Sequence, residues 1–137
     1  MSDISDEELG RVLRESRVWA VVGLGDNPER PAYAVARFLQ SVGKRVVPVH
    51  PSAATVHGER GYASLADVPF PIDVADVFRR SSEAGSVADE ALAREDVGTV
   101  WFQLGVVDEE AARRVRAAGR TMVMNRCPAI EWPRLHG

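Results

Sequence analysis

Side chains that could bind a ligand follow the ends of predicted strands in this sequence. Only four side-chain amides occur in the 137 residues, and Asn27, Gln103 and Asn125 each lie just past the carboxyl end of a predicted strand. Arg79 and Arg80 follow another strand. A guanidinium binds phosphate or carboxylate with two hydrogen bonds, and Arg79 is the better candidate because Arg80 also fits a solvated surface residue. The carboxyl ends of parallel strands meet at one edge of a sheet, so this pattern predicts an anion-binding edge.

The stretch 17–31 joins an apolar strand to a helix through a glycine loop. Five consecutive apolar residues, 18–22, are typical of a strand that is buried on both faces. Gly23 and Gly25 then turn the chain, and Pro31 suits the first position of a helix. Backbone N–H groups in such a loop, together with the helix dipole, form a natural anion site.

Two features of this region bear on which ligand it takes. Glycine after a strand is often only a turn, and the G-x-G-x-x-G fingerprint is incomplete because Pro28 stands where its third glycine would be. The next strand ends at His50 and Pro51, not at the Asp or Glu that binds the ribose of NAD. The sequence therefore favours a phosphate-bearing ligand and disfavours NAD.

No constellation in the sequence predicts catalysis or a metal centre. His50, His57 and His136 lack metal-ligand spacing with one another or with Cys127, and no nucleophile elbow, H-E-x-x-H or P-loop is present. Two interpretations fit Cys127, a reactive thiol at the ligand edge or a small buried hydrophobe, and the second is the more common for a single cysteine. We therefore assign no catalytic residue and no metal ligand.

Strands and helices alternate along the chain. Ser5 and Glu8 have the spacing of a capping box and predict an N-terminal helix over 5–16. Further helices are predicted at about 31–42, 81–94 and 108–119, with strands at about 18–22, 45–49, 72–78, 98–102 and 121–124. A short edge strand is predicted near 60–63, followed by a helical turn at 64–67, and the tail 125–137 is expected to lie over the sheet edge.

This alternation predicts an α/β protein, a three-layer Rossmann-like fold with a mainly parallel sheet. In the common strand order 3-2-1-4-5 the topological switch falls between the first strand and the strand that ends at Val77 and Phe78. Ligands bind at that crevice, beyond the carboxyl ends of the strands. The glycine loop and Arg79 would face each other across it.

Composition limits the class of protein. With 137 residues and 45% hydrophobic content, the chain is expected to form one domain over 1–137, with its core at about 17–135. A net charge of −3 disfavours nucleic acid as a partner, and the absence of a long apolar run disfavours a membrane. The acidic start lacks the features of a signal peptide, so a cytoplasmic location is expected. Lys44 is the only lysine, and this arginine bias indicates genome composition or a hot habitat.

Six motifs in the same order resemble one known family. They are Val21-Val22-Gly23-Leu24, Asn27-Pro28-Glu29-Arg30-Pro31, Val47-Pro48-Val49-His50-Pro51, Asp76-Val77-Phe78-Arg79-Arg80, Trp101-Phe102-Gln103-Leu104-Gly105-Val106 and Asn125-Arg126-Cys127-Pro128. Together they resemble the stand-alone bacterial CoA-binding proteins, which are similar to the N-terminal domain of the succinyl-CoA synthetase alpha subunit. The resemblance implies a Rossmann-like domain that holds CoA or an acyl-CoA, its phosphates near the glycine loop.

Two departures from the synthetase pattern matter. The synthetase domain usually has a lysine shortly after the proline of the second strand, whereas this sequence reads Pro51-Ser52-Ala53, which leaves open how the 3′-phosphate of CoA would be held. The synthetase phosphohistidine belongs to a separate domain, so the resemblance does not imply ligase activity. A protein partner and a homo-oligomer both remain open.

Residue pattern and resemblance together give one set of candidate cofactor-binding residues. They are Gly23, Leu24, Gly25, Asn27, Arg30, His50, Pro51, Phe78, Arg79, Gln103, Gly105 and Asn125. The expected function is binding of CoA or an acyl-CoA without catalysis. Two alternatives stay open, an enzyme that depends on NAD(P) or another nucleotide and an interaction module that holds no ligand. If Cys127 lies at the ligand edge, a mixed disulfide with CoA is a further expectation.

Overall fold

The computed structural model describes residues 4–136, and strands and helices alternate along them. The elements are α1 (Asp6–Glu15), β1 (Val18–Val22), α2 (Pro31–Ser41), β2 (Arg45–Val49), a 3-10 helix (Leu65–Asp67), β3 (Val74–Val77), α3 (Ser81–Leu92), β4 (Thr99–Phe102), α4 (Glu109–Ala117), β5 (Thr121–Met124) and α5 (Pro128–His136). Residues 1–3 and 137, which the single-domain prediction includes, lie outside the described residues. No helix within 4–136 combines the length and apolar character needed to cross a membrane.

The five strands form one sheet in the order β2-β1-β3-β4-β5, and every neighbouring pair is parallel. β1 lies between β2 and β3, with Val22 opposite Val49 on one side and Val77 on the other. The chain therefore leaves β1 in one direction to form β2 and returns on the opposite side to form β3. The switch point predicted between the first strand and the strand ending at Val77 is confirmed.

The predicted edge strand at 60–63 is wrong in extent. Beside β2, the described part of this segment forms one isolated parallel bridge, between Tyr62 and Val49. The Tyr62 N–H donates to the Pro48 carbonyl oxygen (2.9 Å), and the Tyr62 carbonyl accepts from the His50 N–H (3.0 Å). Proline has no N–H to donate toward this edge, so the ladder stops after one residue.

Helices cover both faces of the sheet, which confirms the three-layer prediction. Alternate residues of β1 belong to different clusters: Ala20 and Val22 pack in the core that includes α3 and α4, whereas Trp19 and Val21 pack in the core that includes α1 and α2. All four are buried, because a central parallel strand is covered on both sides.

The sequence suggested that the tail lies over the sheet edge, and this expectation is wrong. It forms α5, which packs against α1 and α2 on one face of the sheet. Ala129, Trp132 and Leu135 recur at helical spacing and pack on that core. Pro128 begins the helix, a position that tolerates proline, and Arg134 pairs with Asp6 of α1 at 2.8 Å.

The single lysine has a structural role. Lys44 is buried, and its Nζ donates to the carbonyl oxygens of Leu13 and Ser16 at the end of α1. Burial lowers the pKa of the Lys44 ammonium, with the nearby Arg17 adding to the effect. Its position at the carboxyl end of a helix stabilises the charge, because the last carbonyl groups carry partial negative charge.

Candidate functional site

A cavity of about 570 Å³ opens at the carboxyl ends of β1, β3 and β4. Of the candidate residues, those that line it are Gly23, Gly25, Asn27, Arg30, His50, Phe78, Arg79 and Gln103. Other lining residues are outside the candidate set: Asp26, Ala32, Ser52, Glu83, Leu104 and Val106, together with Arg80, for which the sequence left two interpretations open. The cavity sits at the topological switch point, where α/β sheets bind ligands.

The remaining candidates do not line this cavity. Leu24 is buried in the core that includes α1 and α2, and Pro51 is exposed on the turn after β2. Gly105 and Asn125 contact each other instead, because the Gly105 N–H donates to Asn125 Oδ1 at 2.7 Å. This hydrogen bond supports the loop after β4.

Gly23 fixes how closely the loops after β1 and β3 approach each other. Its φ is +107°, and a Cβ built there would overlap the carbonyl oxygen of Phe78. The Gly23 N–H donates to the Val49 carbonyl (2.7 Å), while the Phe78 N–H donates to the Val22 carbonyl (2.8 Å). The cavity floor is therefore backbone, and glycine alone allows it.

Gly25 has a different role from Gly23. It lies outside the left-handed region of φ, but a Cβ there would come within 3.2 Å of the His50 ring. The imidazole Nδ1 accepts from the Ser52 N–H at 3.1 Å. Because a backbone N–H only donates, this hydrogen bond assigns the imidazole proton to Nε2, and Cδ2, Nε2 and Cγ of the ring all lie within 3.4 Å of the Cβ position. His50 thus brings an N–H donor to the glycine loop.

The two helices that begin at the cavity have no side-chain cap. Arg30 and Arg80 occupy the N-cap positions of α2 and α3, and neither side chain makes a cap hydrogen bond to the first turn of its helix. By contrast, Ser5 caps α1 and Asp108 caps α4. Uncapped helix starts leave N–H groups for water or a ligand, and their dipoles favour negative charge.

Asn27 acts as a turn former in this structure. Its Oδ1 accepts from the Glu29 N–H at 3.0 Å, and its carbonyl accepts from the Arg30 N–H at 3.2 Å. The side-chain oxygen is therefore used within the loop, and the NH₂ group is what Asn27 can offer to the cavity.

Three arginines line the cavity, Arg30, Arg79 and Arg80, and two carboxylates, Asp26 and Glu83, partly balance their charge. Arg79 Nη1 lies 3.9 Å from Glu83 Oε1, and Arg80 Nε lies 3.4 Å from Glu83 Oε2. Exposed pairs of this kind contribute about 0–1 kcal/mol, so an anionic ligand can displace them. In the sequence, the i, i+4 spacing of Arg79 and Glu83 is the pattern from which the contact with Arg79 could have been predicted.

Hydrogen bonds from two other elements hold the loop after β4. Ser81 Oγ, in the first turn of α3, accepts from the Val107 N–H at 2.9 Å. Asn125, with a left-handed φ of 61°, holds Gly105 as described above. Gln103 at the end of β4 is buried, and Leu104 next to it is exposed at the cavity.

Cys127 lies away from this cavity. It is buried in the core formed with α1, α2 and α5 and is not among the lining residues. The structure therefore agrees with its reading as a small buried hydrophobe, and formation of a mixed disulfide with a ligand would require local opening of that core.

A second cavity, of about 340 Å³, opens at the opposite edge of the sheet. Glu8, Glu15, Asp73 and Asp96 line it with Arg11, so its charge disfavours an anion. Asp73 accepts from two backbone N–H groups, and Asp96 pairs with Arg94 at 2.9 Å. These carboxylates already have partners, and we place the candidate site at the first cavity.

Comparison with known proteins gives a family and several relatives. The model of the CoA binding domain family matches residues 17–133. The uncharacterized protein YneT of Bacillus subtilis is 37% identical over 127 residues, which cover 93% of each chain. A solved structure from Thermus thermophilus is 37% identical, with a TM-score of 0.89 over 96% of this chain and 99% of its own. Acetyl-coenzyme A synthetase 1 of Candidatus Korarchaeum cryptofilum is 26% identical, with a TM-score of 0.72 over 85% of this chain and 28% of the synthetase.

Proposed function

Since the chain belongs to the CoA binding domain family, we propose that the cavity at the carboxyl edge of its sheet binds coenzyme A or an acyl-CoA, without catalysing a reaction. One observation carries this proposal. The glycine loop, Arg79 and two uncapped helix starts converge on a single cavity at the switch point. This arrangement offers several N–H donors to a ligand rich in phosphate oxygens, and the three lining arginines outnumber the two lining carboxylates, Asp26 and Glu83.

The diphosphate would lie over the glycine loop. The absence of a side chain at Gly23 and Gly25 lets phosphate oxygens approach the backbone closely. The Nε2–H of His50 adds a donor beside Gly25. Arg79, about one-third exposed, provides a guanidinium on the opposite wall.

The nucleotide cofactors of dehydrogenases fit this cavity less well. An NAD ribose is held by a carboxylate at the end of the second strand, but β2 ends next to His50, whose Nε2–H is a donor. Two alternatives are tested together with the proposal. They are an NAD(P)-dependent or other nucleotide-dependent enzyme and an interaction module that holds no ligand.

Thermal denaturation with four ligands separates these functions. We expect CoA or acetyl-CoA at one hundred times its Kd to add about 2.7 kcal/mol to the free energy of unfolding, whereas NAD and NADP change Tm little. Calorimetry supplies the Kd values. Preference for NAD would place the protein with the nucleotide-dependent enzymes. No response to any of the four ligands would favour the interaction module.

Replacing Arg79 with alanine should weaken CoA binding without unfolding the protein. Charge-assisted hydrogen bonds contribute about 1.5–3 kcal/mol, so Kd should rise by about 10- to 100-fold. The Arg79 side chain pairs with Glu83 at 3.9 Å, and an exposed pair of this kind adds little stability, so Tm of the free protein should stay nearly constant. Calorimetry and thermal denaturation measure the two quantities.

Arg37→Ala is the matched control for this variant. Arg37 is exposed on α2 and does not line the cavity, so its removal changes net charge by the same amount. Kd for CoA should change by less than about twofold, because exposed charges at a distance are screened by salt. Equal effects of the two variants would assign the loss to net charge, and a parallel fall in Tm would make Arg79 a structural residue.

A further inference from the structure

Gln103 has an acceptor that the described protein leaves unused. Its backbone continues the sheet edge, because its N–H donates to the Val77 carbonyl (3.2 Å) and its own carbonyl accepts from the Val106 N–H (2.8 Å). The side chain is only 6% exposed and lines the cavity. Within residues 4–136, its Oε1 has no hydrogen-bond partner. Buried polar atoms are normally paired, so this atom calls for an explanation.

The neighbouring side chains do not supply the missing donor. Cations line the same cavity, yet Arg79 and Arg80 are directed at Glu83, and His50 lies beside the glycine loop. None of them reaches Gln103 Oε1. A phosphate group would not serve either, because an ionised phosphate carries acceptors only. A neutral N–H or O–H donor on a ligand would satisfy Oε1.

The sheet sets the distance between this donor and the phosphate site. The glycine loop follows β1 and Gln103 follows β4, with β3 between them. Two strand spacings of about 4.8 Å each put roughly 10 Å between the two points. Leu104 and Val106 line the cavity next to Gln103, so this end is more apolar than the arginine end. A ligand that spans both ends carries phosphate at one end and an uncharged arm with an N–H group at the other.

We propose that Gln103 Oε1 accepts a hydrogen bond from an amide N–H in the arm of the bound ligand, and that this contact selects a pantetheine arm over nucleotides that lack one. This inference rests on the proposed function and adds a specificity-determining contact to it. In the ligand-free protein the acceptor stays unpaired, which lowers stability. Binding of an arm with an amide removes that penalty, whereas binding of a bare nucleotide leaves it in place.

Gln103→Met tests this contact, because methionine has a similar length and lacks the amide acceptor. Calorimetry with CoA should give a Kd raised by about tenfold. ADP shares the diphosphate and adenosine but has no arm, so its Kd should change by less than about twofold. Thermal denaturation of the free variant should give an unchanged or higher Tm, because an unpaired buried acceptor has been removed.

Gln40→Met is the matched control. Gln40 lies on α2, and its Nε2 donates to the His57 carbonyl oxygen at 3.3 Å, outside the cavity lining. The same substitution there should leave the preference for CoA over ADP as it is in the unchanged protein.

Three results would overturn the inference while leaving the proposed function intact. These are a CoA Kd unchanged by Gln103→Met, an equal loss for CoA and ADP, and a loss of affinity that parallels a fall in Tm of the free variant. Failure of the unchanged protein to bind CoA would instead overturn the proposed function, and the assignment of Gln103 with it.

Discussion

Gly23→Ala should lower the free energy of unfolding by about 3–5 kcal/mol and Tm by roughly 10–20 °C. Two penalties add at this position. A φ of +107° is unfavourable for alanine, and the new Cβ would overlap the Phe78 carbonyl oxygen. That oxygen belongs to backbone held by the Phe78 N–H bond to Val22, so it cannot move aside alone. Urea denaturation of both proteins measures the difference.

Gly119→Ala separates the two penalties. Gly119 follows α4 with a φ of +78°, and nothing lies within 4 Å of a Cβ built there. Only the backbone penalty applies, and we expect about 1–2 kcal/mol. The excess loss in Gly23→Ala then measures the contact between the loops after β1 and β3. Equal losses for the two variants would contradict the close approach that shapes the cavity floor.

The order of elements could be predicted because local signals agree with the tertiary environment. Residues 18–22 are apolar without interruption, and β1 is in fact covered on both faces. Ser5 forms the predicted cap, accepting from the Glu8 N–H at 3.1 Å. Glycine and proline mark the ends of several elements, and those boundaries agree with the structure within a few residues.

The failures arose where tertiary contacts decide the outcome. α5 depends on packing against α1 and α2 and on the Arg134–Asp6 pair, which joins residues 128 positions apart. The tail sequence, with Pro128 and Pro133, looks irregular without those contacts. The edge strand failed because extending the ladder beyond the single bridge at Tyr62 needs an N–H donor that Pro48 lacks, and such pairing depends on which strand lies beside it.

Several of the candidate residues that follow strands line the same cavity. Parallel strands bring their carboxyl ends to one edge, and this placed Arg79 and Gln103 on one cavity wall. Spacing alone cannot tell which side chains at that edge face the cavity. Asn125 is directed to the Gly105 N–H, and Leu24 turns into the core. Those orientations follow from loop geometry that one-dimensional patterns do not contain.

Asp76 is an ionisable residue that the strand pattern did not flag. It lies in the centre of β3, between Val21 of β1 and Trp101 of β4 in the ladder, and is fully buried. Neither carboxyl oxygen has a hydrogen-bond partner among residues 4–136. Burial raises the pKa of the Asp76 carboxyl well above its usual range. The Asp76 carboxyl therefore binds its proton more tightly in the folded protein than in the unfolded chain.

This raised pKa gives a definite sign to the pH dependence of stability. In the unfolded chain the carboxyl titrates near a pKa of about 3.9. Between that value and the higher pKa of the folded state, the folded protein binds more protons than the unfolded chain. The free energy of unfolding must then decrease as pH rises through this window and reach a constant lower value above it. Burial of Asp76 thus opposes folding more strongly at high pH, where the carboxyl is ionised, than at low pH.

Asp76→Val should stabilise the protein by about 1–3 kcal/mol above the folded-state pKa, raising Tm by roughly 4–12 °C, because two unpaired buried acceptors are removed. Asp76→Asn keeps the shape and a polar group but no longer titrates, so it should flatten the pH dependence with a smaller gain. Urea denaturation of the three proteins between about pH 4 and pH 8 measures both effects. The stability of the unchanged protein relative to Asp76→Asn should fall as pH rises. A constant difference, or destabilisation by valine, would mean that the carboxylate has a buried partner that stabilises its charge.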